Sequence, residues 1–343
     1  MKVKTLLTSG LTSLYLFLTS CGGAMSKNAT EFDWHATEAA PRHYPMEIIQ
    51  GTFFYKDQDY GLYIPSGGTL HAGWGVMNSH HVTGPDKKPL PDRVDVVFYS
   101  YTEKQFYRGK FDLPYEKILS LFRQAYIDEP KKPYYDAIMI GIAPGGAVSV
   151  WLEGYRVTEV FFGQAEKIDV DPSNGFNLPF DSKAESDAYI QKQLVNVLDS
   201  EELESLKKNG VPFGTWARYR NVYKWIPVYA QGKVTTDERM PVNYLNGESY
   251  WEPTSFDEEK QNTPKPLPRE LEFSVDMGDE SILYIIKFEE FELMEAFEKL
   301  GANGEKVYIE FDAQTPRENM KIRLYNDKEP KEVIELKKFY VKP

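Results

Sequence analysis

The chain has 343 residues, of which 52 are acidic and 40 basic, and a net charge of −12. So acidic a protein is a poor partner for nucleic acid and for anionic lipid headgroups, whereas a basic protein would be attracted to it. Aromatic residues form 14% of the chain and favour β-rich structure, and the single cysteine, Cys21, excludes an internal disulfide.

The N-terminus has the layout of a secretory signal. Lys2 and Lys4 form a short positive region, and no residue from 5 to 19 is charged. This apolar run is too short for a comfortable membrane span. The residues Leu18-Thr19-Ser20-Cys21 resemble the lipobox of bacterial lipoproteins, in which the cysteine receives the lipid and the chain is cut before it. The sequence therefore predicts a signal peptide over 1–20 and lipidation at Cys21; the alternative is an ordinary secretory signal with a coincidental cysteine.

A lipid on Cys21 would anchor the protein to the membrane without a spanning segment. The next residue is Gly22, and by resemblance to known sorting behaviour the lack of aspartate there favours delivery to the outer membrane, facing the periplasm. Residues 21–30 are predicted to form a tether, since those after the cysteine are small and polar. Cleavage leaves 38 basic and 52 acidic residues, a net charge of −14, which favours a basic protein partner or serves solubility alone.

Residues 31–251 are predicted to form the main domain, a β-rich α+β fold with antiparallel sheets and a few helices. Alternating or continuous apolar residues predict strands at EFDWHATEA, PMEIIQGTFFY, DRVDVVFYSYTE, YYDAIMIGI, GAVSVWLEG and RVTEVFFGQA. Helical spacing predicts a helix in DLPYEKILSLFRQAYI, and capping signatures at Ser182 and Asp199 predict two consecutive helices. The aromatic-rich stretch FGTWARYRNVYKWIPVYAQG predicts a return to strand.

The composition changes after this domain. Residues 252–268 are charged and rich in proline, which predicts a linker. Beyond it, a helix is predicted over Glu289–Leu300 and strands are predicted at LEFSVDM, SILYIIKF, KVYIEFDA, MKIRLYN and VIELKKFYV. Residues 269–343 are thus predicted to form a smaller α+β module.

The five histidines do not favour a metal centre. His80 and His81 are adjacent and would face opposite sides of a strand, whereas zinc ligands on one element need a wider spacing, such as i, i+4 on a helix. His35, His43 and His71 lie in separate segments. The sequence also lacks a Gly-x-Ser-x-Gly turn and a phosphate-binding loop. It therefore predicts no metal and no cofactor, and favours a protein that is not an enzyme.

The stretch SGGTLHAGWG holds two candidate binding residues, His71 and Trp74, among four glycines. Glycines allow backbone shapes that other residues cannot take. Trp74 is therefore either an exposed anchor for a partner or a core residue beside a tight loop.

The stretch SYTEKQFYRG holds two more candidates, Glu103 and Tyr107. Glu103 is either a buried acid or the ion-pair partner of Lys104 or Arg108. The ion pair is favoured, because most such pairs are structural.

Several stretches together resemble domain-of-unknown-function family 2931 of Gram-negative bacteria. They are FDWHATEAAPRHYPMEIIQGTFFY, GGTLHAGWG, LPDRVDVVFYSYTEKQFYRGKFDLPYEKILSLFR and IMIGIAPGGAVSVWLEG. They cover residues 31–165, and the likeness extends toward 232 without reaching the C-terminal module. The resemblance implies an envelope lipoprotein, and an association with type VI secretion effectors of the lipase kind implies an immunity protein. It implies no catalytic residues.

Three roles stay open at this stage. The first is a periplasm-facing lipoprotein that binds a protein, specifically an immunity protein that blocks a basic secreted toxin with aromatic anchors such as Trp74 ringed by acids. The second is an envelope hydrolase with a non-standard site around Glu103, His71 or the His80–His81 pair. The third is an outer-membrane scaffold or assembly factor. The binding protein is favoured.

Overall fold

The computed structural model describes residues 28–124, 134–170, 180, 182–230, 233–234, 239–253, 263–276, 278, 281–313, 316–328 and 332–342. The predicted signal peptide, Cys21 and most of the predicted tether and linker lie outside them. The described residues form 22 strands and five helices. This confirms the predicted β-rich α+β fold with antiparallel sheets. None of these helices is both long and apolar enough to cross a membrane.

Twelve strands precede the central helices. They are β1 (Glu31–Asp33), β2 (His35–Ala39), β3 (Met46–Tyr55), β4 (Gly61–Tyr63), β5 (Thr69–Leu70), β6 (Lys87–Pro89), β7 (Pro91–Ser100), β8 (Gln105–Asp112), β9 (Tyr135–Ala143), β10 (Ala147–Gly154), β11 (Thr158–Gln164) and β12 (Glu166–Ile168). They form a sheet of order β11-β10-β9-β2, a sheet of order β12-β8-β7-β3-β4 with β5 beside β3, and the ribbon β1-β6.

Ten further strands follow. They are β13 (Lys224–Tyr229), β14 (Lys233–Val234), β15 (Arg239–Tyr244), β16 (Ser249–Pro253), β17 (Pro268–Asp276), β18 (Ser281–Phe288), β19 (Lys306–Asp312), β20 (Lys321–Asn326), β21 (Val333–Glu335) and β22 (Phe339–Val341). They form a sheet of order β13-β19-β20-β21 and a sheet of order β16-β15-β17-β18-β22 with β14 beside β17. Among the described strands, β2–β9 and β13–β19 pair in parallel and the other pairs are antiparallel.

The helices are α1 (Tyr115–Phe122), α2 (Lys183–Val197), α3 (Ser200–Asn209), α4 (Thr215–Arg218) and α5 (Glu290–Leu300). The predicted cap of α2 is confirmed, since Ser182 Oγ accepts the backbone N–H of Glu185. The capping box of α3 is confirmed too, with reciprocal bonds of 2.8 and 3.0 Å between Asp199 and Glu202.

The strand expected across FGTWARYR is wrong, because helix α4 occupies part of it. Gly214 precedes this helix with a left-handed backbone (φ 81°), which glycine adopts without steric cost. The single helical turn that follows buries Trp216, which is 2% exposed. Tertiary burial of one tryptophan therefore outweighs the strand preference of the surrounding aromatic residues.

The C-terminal sheets take strands from both sides of the predicted linker. Strand β13 pairs with β19, and β15 pairs with β17, so hydrogen bonding in these sheets begins at Lys224. Trp225 adds a side-chain contact, because its Nε1–H donates to the carbonyl oxygen of Pro266 at 2.9 Å. The predicted domain limits stay a prediction, but residues 224–253 share sheets with the residues that follow the linker.

The sheet of β11, β10, β9 and β2 is buried on both faces. Its central strands, β9 and β10, are almost continuously apolar, as expected for strands covered on both sides. One face lies in a core with the β3–β8 strands and includes Ile138, Ile140, Ile142, Val148, Val150 and Leu152. The other face lies in a core shared with the C-terminal sheets and includes Ala39, Met139, Ala143, Ala147 and Trp151.

The turn between β15 and β16 packs directly on this second face. Trp151 is fully buried, and its Nε1–H donates to the carbonyl oxygen of Asn246 at 3.0 Å. Gly247, with φ 89°, lies so close to Gly75 that a Cβ on Gly247 would sit 2.9 Å from the Gly75 Cα. Two backbone hydrogen bonds between Val157 and Ser249, of 3.0 and 3.2 Å, continue the contact. The sheet of β11, β10, β9 and β2 and the turn between β15 and β16 are therefore in direct contact.

Replacing Gly247 by alanine should destabilise the protein by about 2–4 kcal/mol, because the new methyl group would strain the backbone and collide with Gly75 and the Trp151 ring. Urea denaturation measures the loss. The matched control is Gly278→Ala, which has a similar φ of 98° but an empty surrounding and should lose only about 1 kcal/mol. Equal losses in the two variants would contradict close packing at the turn.

Two carboxyl groups are buried near this second face of the sheet. Glu153 Oε2 is buried without a hydrogen-bond partner in the described part of the chain. Burial, with a smaller contribution from the charge of Asp136, raises the pKa of Glu153 to about 7. Burial also raises the pKa of Glu159 to about 7, although Ser149 Oγ donates to it and Arg220 forms an ion pair with it.

Stability should therefore fall as the pH rises. A carboxyl whose folded-state pKa lies above its unfolded value stabilises the fold fully below pH 4.5, and this contribution is lost as the pH passes through about 7. Glu153→Gln, which mimics the protonated acid, should be more stable than the parent at pH 8, by at most on the order of 3 kcal/mol, and equal to it near pH 4.5. Urea denaturation across this range measures the difference. The exposed Glu318→Gln is the control, and an unchanged pH dependence in Glu153→Gln would contradict the assignment.

Candidate functional site

Trp74 is a core residue, so the expectation of an exposed anchor at this position is wrong. It is 5% exposed, and its ring meets the edge of Trp151 at a centroid distance of 4.9 Å. Its carbonyl oxygen accepts a hydrogen bond from Arg269 Nη1 at 2.6 Å. Since Gly75 lies against Gly247, the C-terminal part of the chain covers this end of the loop, whereas Gly67, Gly68 and Ala72 are exposed. The core alternative for Trp74 is the correct one.

Glu103 and Tyr107 are brought together by the structure. The Tyr107 hydroxyl donates to Glu103 Oε1 at 2.7 Å, and the backbone N–H of Gly145 donates to Glu103 Oε2 at 2.8 Å. Tyr107 is fully buried, and burial followed by the hydrogen bond to Glu103 raises the pKa of Tyr107. The pair therefore holds the β9–β10 turn against β8.

The ion pair favoured for Glu103 is wrong, because both neighbouring cations bind other carboxylates. Lys104 Nζ lies 2.5 Å from Asp187 Oδ1, and Arg108 Nη2 lies 2.8 Å from Asp95 Oδ2. Glu103 lies in the turn between β7 and β8, so the cations near it in sequence need not lie next to it in space.

The histidines do not gather into one site. His43 Nδ1 lies 2.9 Å from Glu202 Oε1, and the His81 ring hydrogen-bonds to the Tyr63 hydroxyl. The rings of His35 and His80 are 6.0 Å apart. His71 is half-buried, and its backbone N–H donates to Asn78 at 3.4 Å. Across the described residues, no three His, Cys, Asp or Glu side chains are arranged to hold a metal ion.

A groove of about 570 Å³ lies elsewhere, beside the edge strand β4. One wall is the β3–β4 hairpin, which contributes Tyr55, Tyr60, Leu62 and Tyr63. The opposite wall is the segment 83–89, which includes β6. We call this feature the tyrosine groove. The hairpin turn is fixed by backbone hydrogen bonds from Tyr55 to Tyr60 and from Gln58 to Tyr55, of 3.1 and 3.0 Å.

Two tyrosines project from the hairpin into solvent. Tyr60 is 65% exposed and meets the buried Tyr55 edge to face at 5.7 Å, while Tyr63 is 48% exposed and is oriented by His81. Val82, next to His81 in the chain, is 78% exposed. Exposed tyrosines with a fixed orientation are common anchors in protein interfaces, because their rings offer contact area at little entropic cost.

The rim of the groove is acidic. Glu31 lines the groove, and four more exposed carboxylates lie next to lining residues in sequence or on the strand paired with β6: Asp33, Asp57, Asp59 and Asp86. Of the nearby cations, Lys87 is exposed, whereas Arg93 is held by contacts of 3.3 Å each to Asp59 and Asp92. The net charge presented to a partner is therefore negative.

The floor of the groove contains two further polar groups. Lys88 is 2% exposed, and its ammonium donates to the carbonyl oxygen of Trp34. Burial lowers the pKa of Lys88, while the charges of Asp33 and Asp86 raise it by a smaller amount. Gln58 Oε1 is buried and has no hydrogen-bond partner in the described part of the chain.

The sequence reasoning missed Tyr60, Tyr63 and Gln58. A local signal existed, since KDQDYGLY combines turn residues with two tyrosines and two aspartates directly after a predicted strand. This stretch lies in one wall of the tyrosine groove, and the residues of the opposite wall come about 25 positions later in the chain. The groove as a whole therefore has no local sequence pattern.

Comparisons with known proteins identify a family but no close relative. No curated protein and no solved structure matches the chain. A family model described as "Protein of unknown function (DUF2931)" matches residues 23–214, more than half of the chain, and includes both walls of the tyrosine groove. The chain therefore belongs to the DUF2931 family of proteins of unknown function.

Proposed function

We propose that this chain is a lipoprotein of the bacterial outer membrane that faces the periplasm and acts by binding a basic protein through the tyrosine groove. The observation that carries the proposal is the pair of exposed, oriented tyrosines in a groove lined by Glu31, with four more exposed carboxylates on the adjoining segments. Tyrosine anchors provide binding energy, and a rim of one charge selects a partner of the opposite charge.

The partner we propose more specifically is a secreted toxin, with the chain acting as its immunity protein. The resemblance described from the sequence supports this role through its association with type VI lipase effectors. The groove supports this role only through its negative charge. A toxin that approaches membranes benefits from a basic face, and the groove would attract such a face. The mechanism is occlusion of that face by the groove.

The anchor in this proposal is a lipid on Cys21. Its support is the N-terminal sequence alone, with Lys2, Lys4, an uncharged leucine-rich run and the Leu18-Thr19-Ser20-Cys21 pattern. The lipid would hold the folded part at the membrane surface by a tether over residues 21–30.

The groove can be tested with purified protein that starts at Gly22 and with the toxins encoded beside its gene. Tyr60→Ser and Tyr63→Ser should each weaken binding by roughly 10- to 30-fold, because each removes an anchor ring. Calorimetric titration measures the dissociation constants. The matched control is Tyr340→Ser, which removes a 55% exposed tyrosine far along the sequence from the groove and should leave binding unchanged. A toxin complex that is equally tight in all three variants would refute the groove as the docking surface.

The rim predicts a salt-dependent association. Asp57→Asn with Asp59→Asn should slow association by about 3- to 10-fold at low salt and remove much of its salt dependence, because rim charges act mainly on encounter. Asp57 has a φ of 59°, a backbone that asparagine tolerates, so the fold should be kept. Stopped-flow mixing measures the rate, with the exposed Glu295→Gln as control. If the purified protein captures outer-membrane proteins and no toxin, the scaffold role is favoured over the immunity role. If it captures no protein, the hydrolase role is favoured.

The anchor is tested separately in cells. Cys21→Ser should abolish incorporation of radiolabelled palmitate and move the protein out of the membrane fraction, because the acceptor thiol is gone. Ser26→Ala, five residues beyond the cysteine, should leave both unchanged. Labelling that persists in Cys21→Ser, or that is absent from the parent protein, would contradict lipidation at this residue.

A further inference from the structure

A second and larger cavity lies between the family-matched region and the C-terminal sheets. It is a cleft of about 1130 Å³, slightly larger than the roughly 300–1,000 Å³ usual for small-molecule sites. Its apolar lining is mainly aromatic: Tyr44 meets Trp216 edge to face at 5.7 Å, and Phe288 and Phe291 also line the cleft. We call this feature the interlobe cleft.

Arg269 lines the interlobe cleft from β17. One of its N–H groups donates to the carbonyl oxygen of Trp74 at 2.6 Å. Guanidinium carries five N–H donors, and the other four have no acceptor within the described residues. No carboxylate of the described chain lies within 4.0 Å of this guanidinium. Burial lowers the pKa of Arg269, with smaller opposing contributions from Glu270 and Glu290.

The carboxylates near Arg269 are engaged by other groups. Glu270 forms an ion pair with Lys287 at 3.2 Å and accepts a hydrogen bond from Asn243 at 3.1 Å. Glu290 is hydrogen-bonded by the hydroxyl of Tyr219, and burial raises the pKa of Glu290. Arg269 is therefore a partly buried cation whose nearest acids are bound by other groups, an arrangement that a bound anion would compensate.

We propose that the interlobe cleft binds a small molecule that carries a single carboxylate on an aromatic or aliphatic body, with the carboxylate held by Arg269. The guanidinium fork matches a carboxylate in a two-point contact. The aromatic walls would cover the apolar body. This site lies apart from the tyrosine groove and does not depend on the proposed protein binding.

Charge around the cleft favours a carboxylate over a phosphate. The lining includes five acids, Glu201, Glu202, Glu270, Glu289 and Glu290, against four Lys and Arg residues, Arg42, Arg269, Lys287 and Lys338, so the acids slightly outnumber these cations. A phosphate monoester, with nearly two negative charges at neutral pH, meets more repulsion from these acids than a monocarboxylate does. A single charge on an apolar body is the better fit to the Arg269 guanidinium in a cleft that is lined by aromatic rings and holds slightly more acids than Lys and Arg residues.

The test uses indole-3-acetate and decanoate as probes, each beside its uncharged amide, in calorimetric titrations of the mature chain. At least one acid should bind, and about 10-fold or more tightly than its amide, because a charge-assisted bidentate contact is lost in the amide. Arg269→Gln should remove this preference. The control is Arg42→Gln, which removes an exposed cation of the same lining that pairs with Glu202 at 3.8 Å and should keep the preference.

Arg269→Lys is a second variant for the case in which Arg269→Gln does not fold. Lysine keeps the charge, so this variant should retain a reduced preference for the acid. Thermal unfolding by circular dichroism verifies each variant. The proposal is overturned if neither acid binds the folded parent protein, if acid and amide bind equally, or if orthophosphate displaces the acid. It is also overturned if the acid preference persists in a folded Arg269→Gln protein.

Discussion

The burial of Trp151 is the constraint on which the arrangement of the whole described chain depends. The ring lies in the middle of β10, in a sheet covered on both faces, and water cannot reach its indole N–H. A buried N–H without an acceptor costs about 1–3 kcal/mol, so the carbonyl oxygen of Asn246 has to stay opposite it. The turn that carries Asn246 joins β15 to β16, and the position of a C-terminal sheet is therefore set by a side chain of the N-terminal part.

This contact shows how the family-matched region depends on the residues that follow it. The match ends at residue 214, yet the residues that cover Trp151, Met139 and Ala147 come mainly from after that point. A sheet with an uncovered apolar face is not stable in water, because each layer of a fold has to bury its apolar side against another. The C-terminal residues therefore complete the core of the family-matched region. The interlobe cleft exists at the edge of this shared core, where Arg269 reaches across to the carbonyl oxygen of Trp74.

The elements that the sequence predicted well are those specified by local pattern. The continuous apolar runs of β9 and β10, the caps at Ser182 and Asp199 and the helix over 290–300 all depend on residues a few positions apart. The errors arise where distant residues decide. Trp74 is buried by a turn about 170 residues later, and Glu103 binds the N–H of Gly145 in place of the neighbouring cations. Both walls of the tyrosine groove are local, but their juxtaposition follows from the pairing of β1 with β6 and of β3 with β4.

The proposed anchor and the tyrosine groove are close in sequence, and this limits where a partner can be met. Glu31, at the rim of the groove, is ten residues after Cys21, and ten extended residues span at most about 35 Å. With Cys21 acylated, the groove would stay within that distance of the bilayer. Salt screens the field of the acidic rim with a decay length of about 8 Å at physiological ionic strength, so the rim attracts a more distant basic protein only weakly. The tether would have to supply the proximity, and the rim and tyrosines would act only on a protein that already approaches the same membrane.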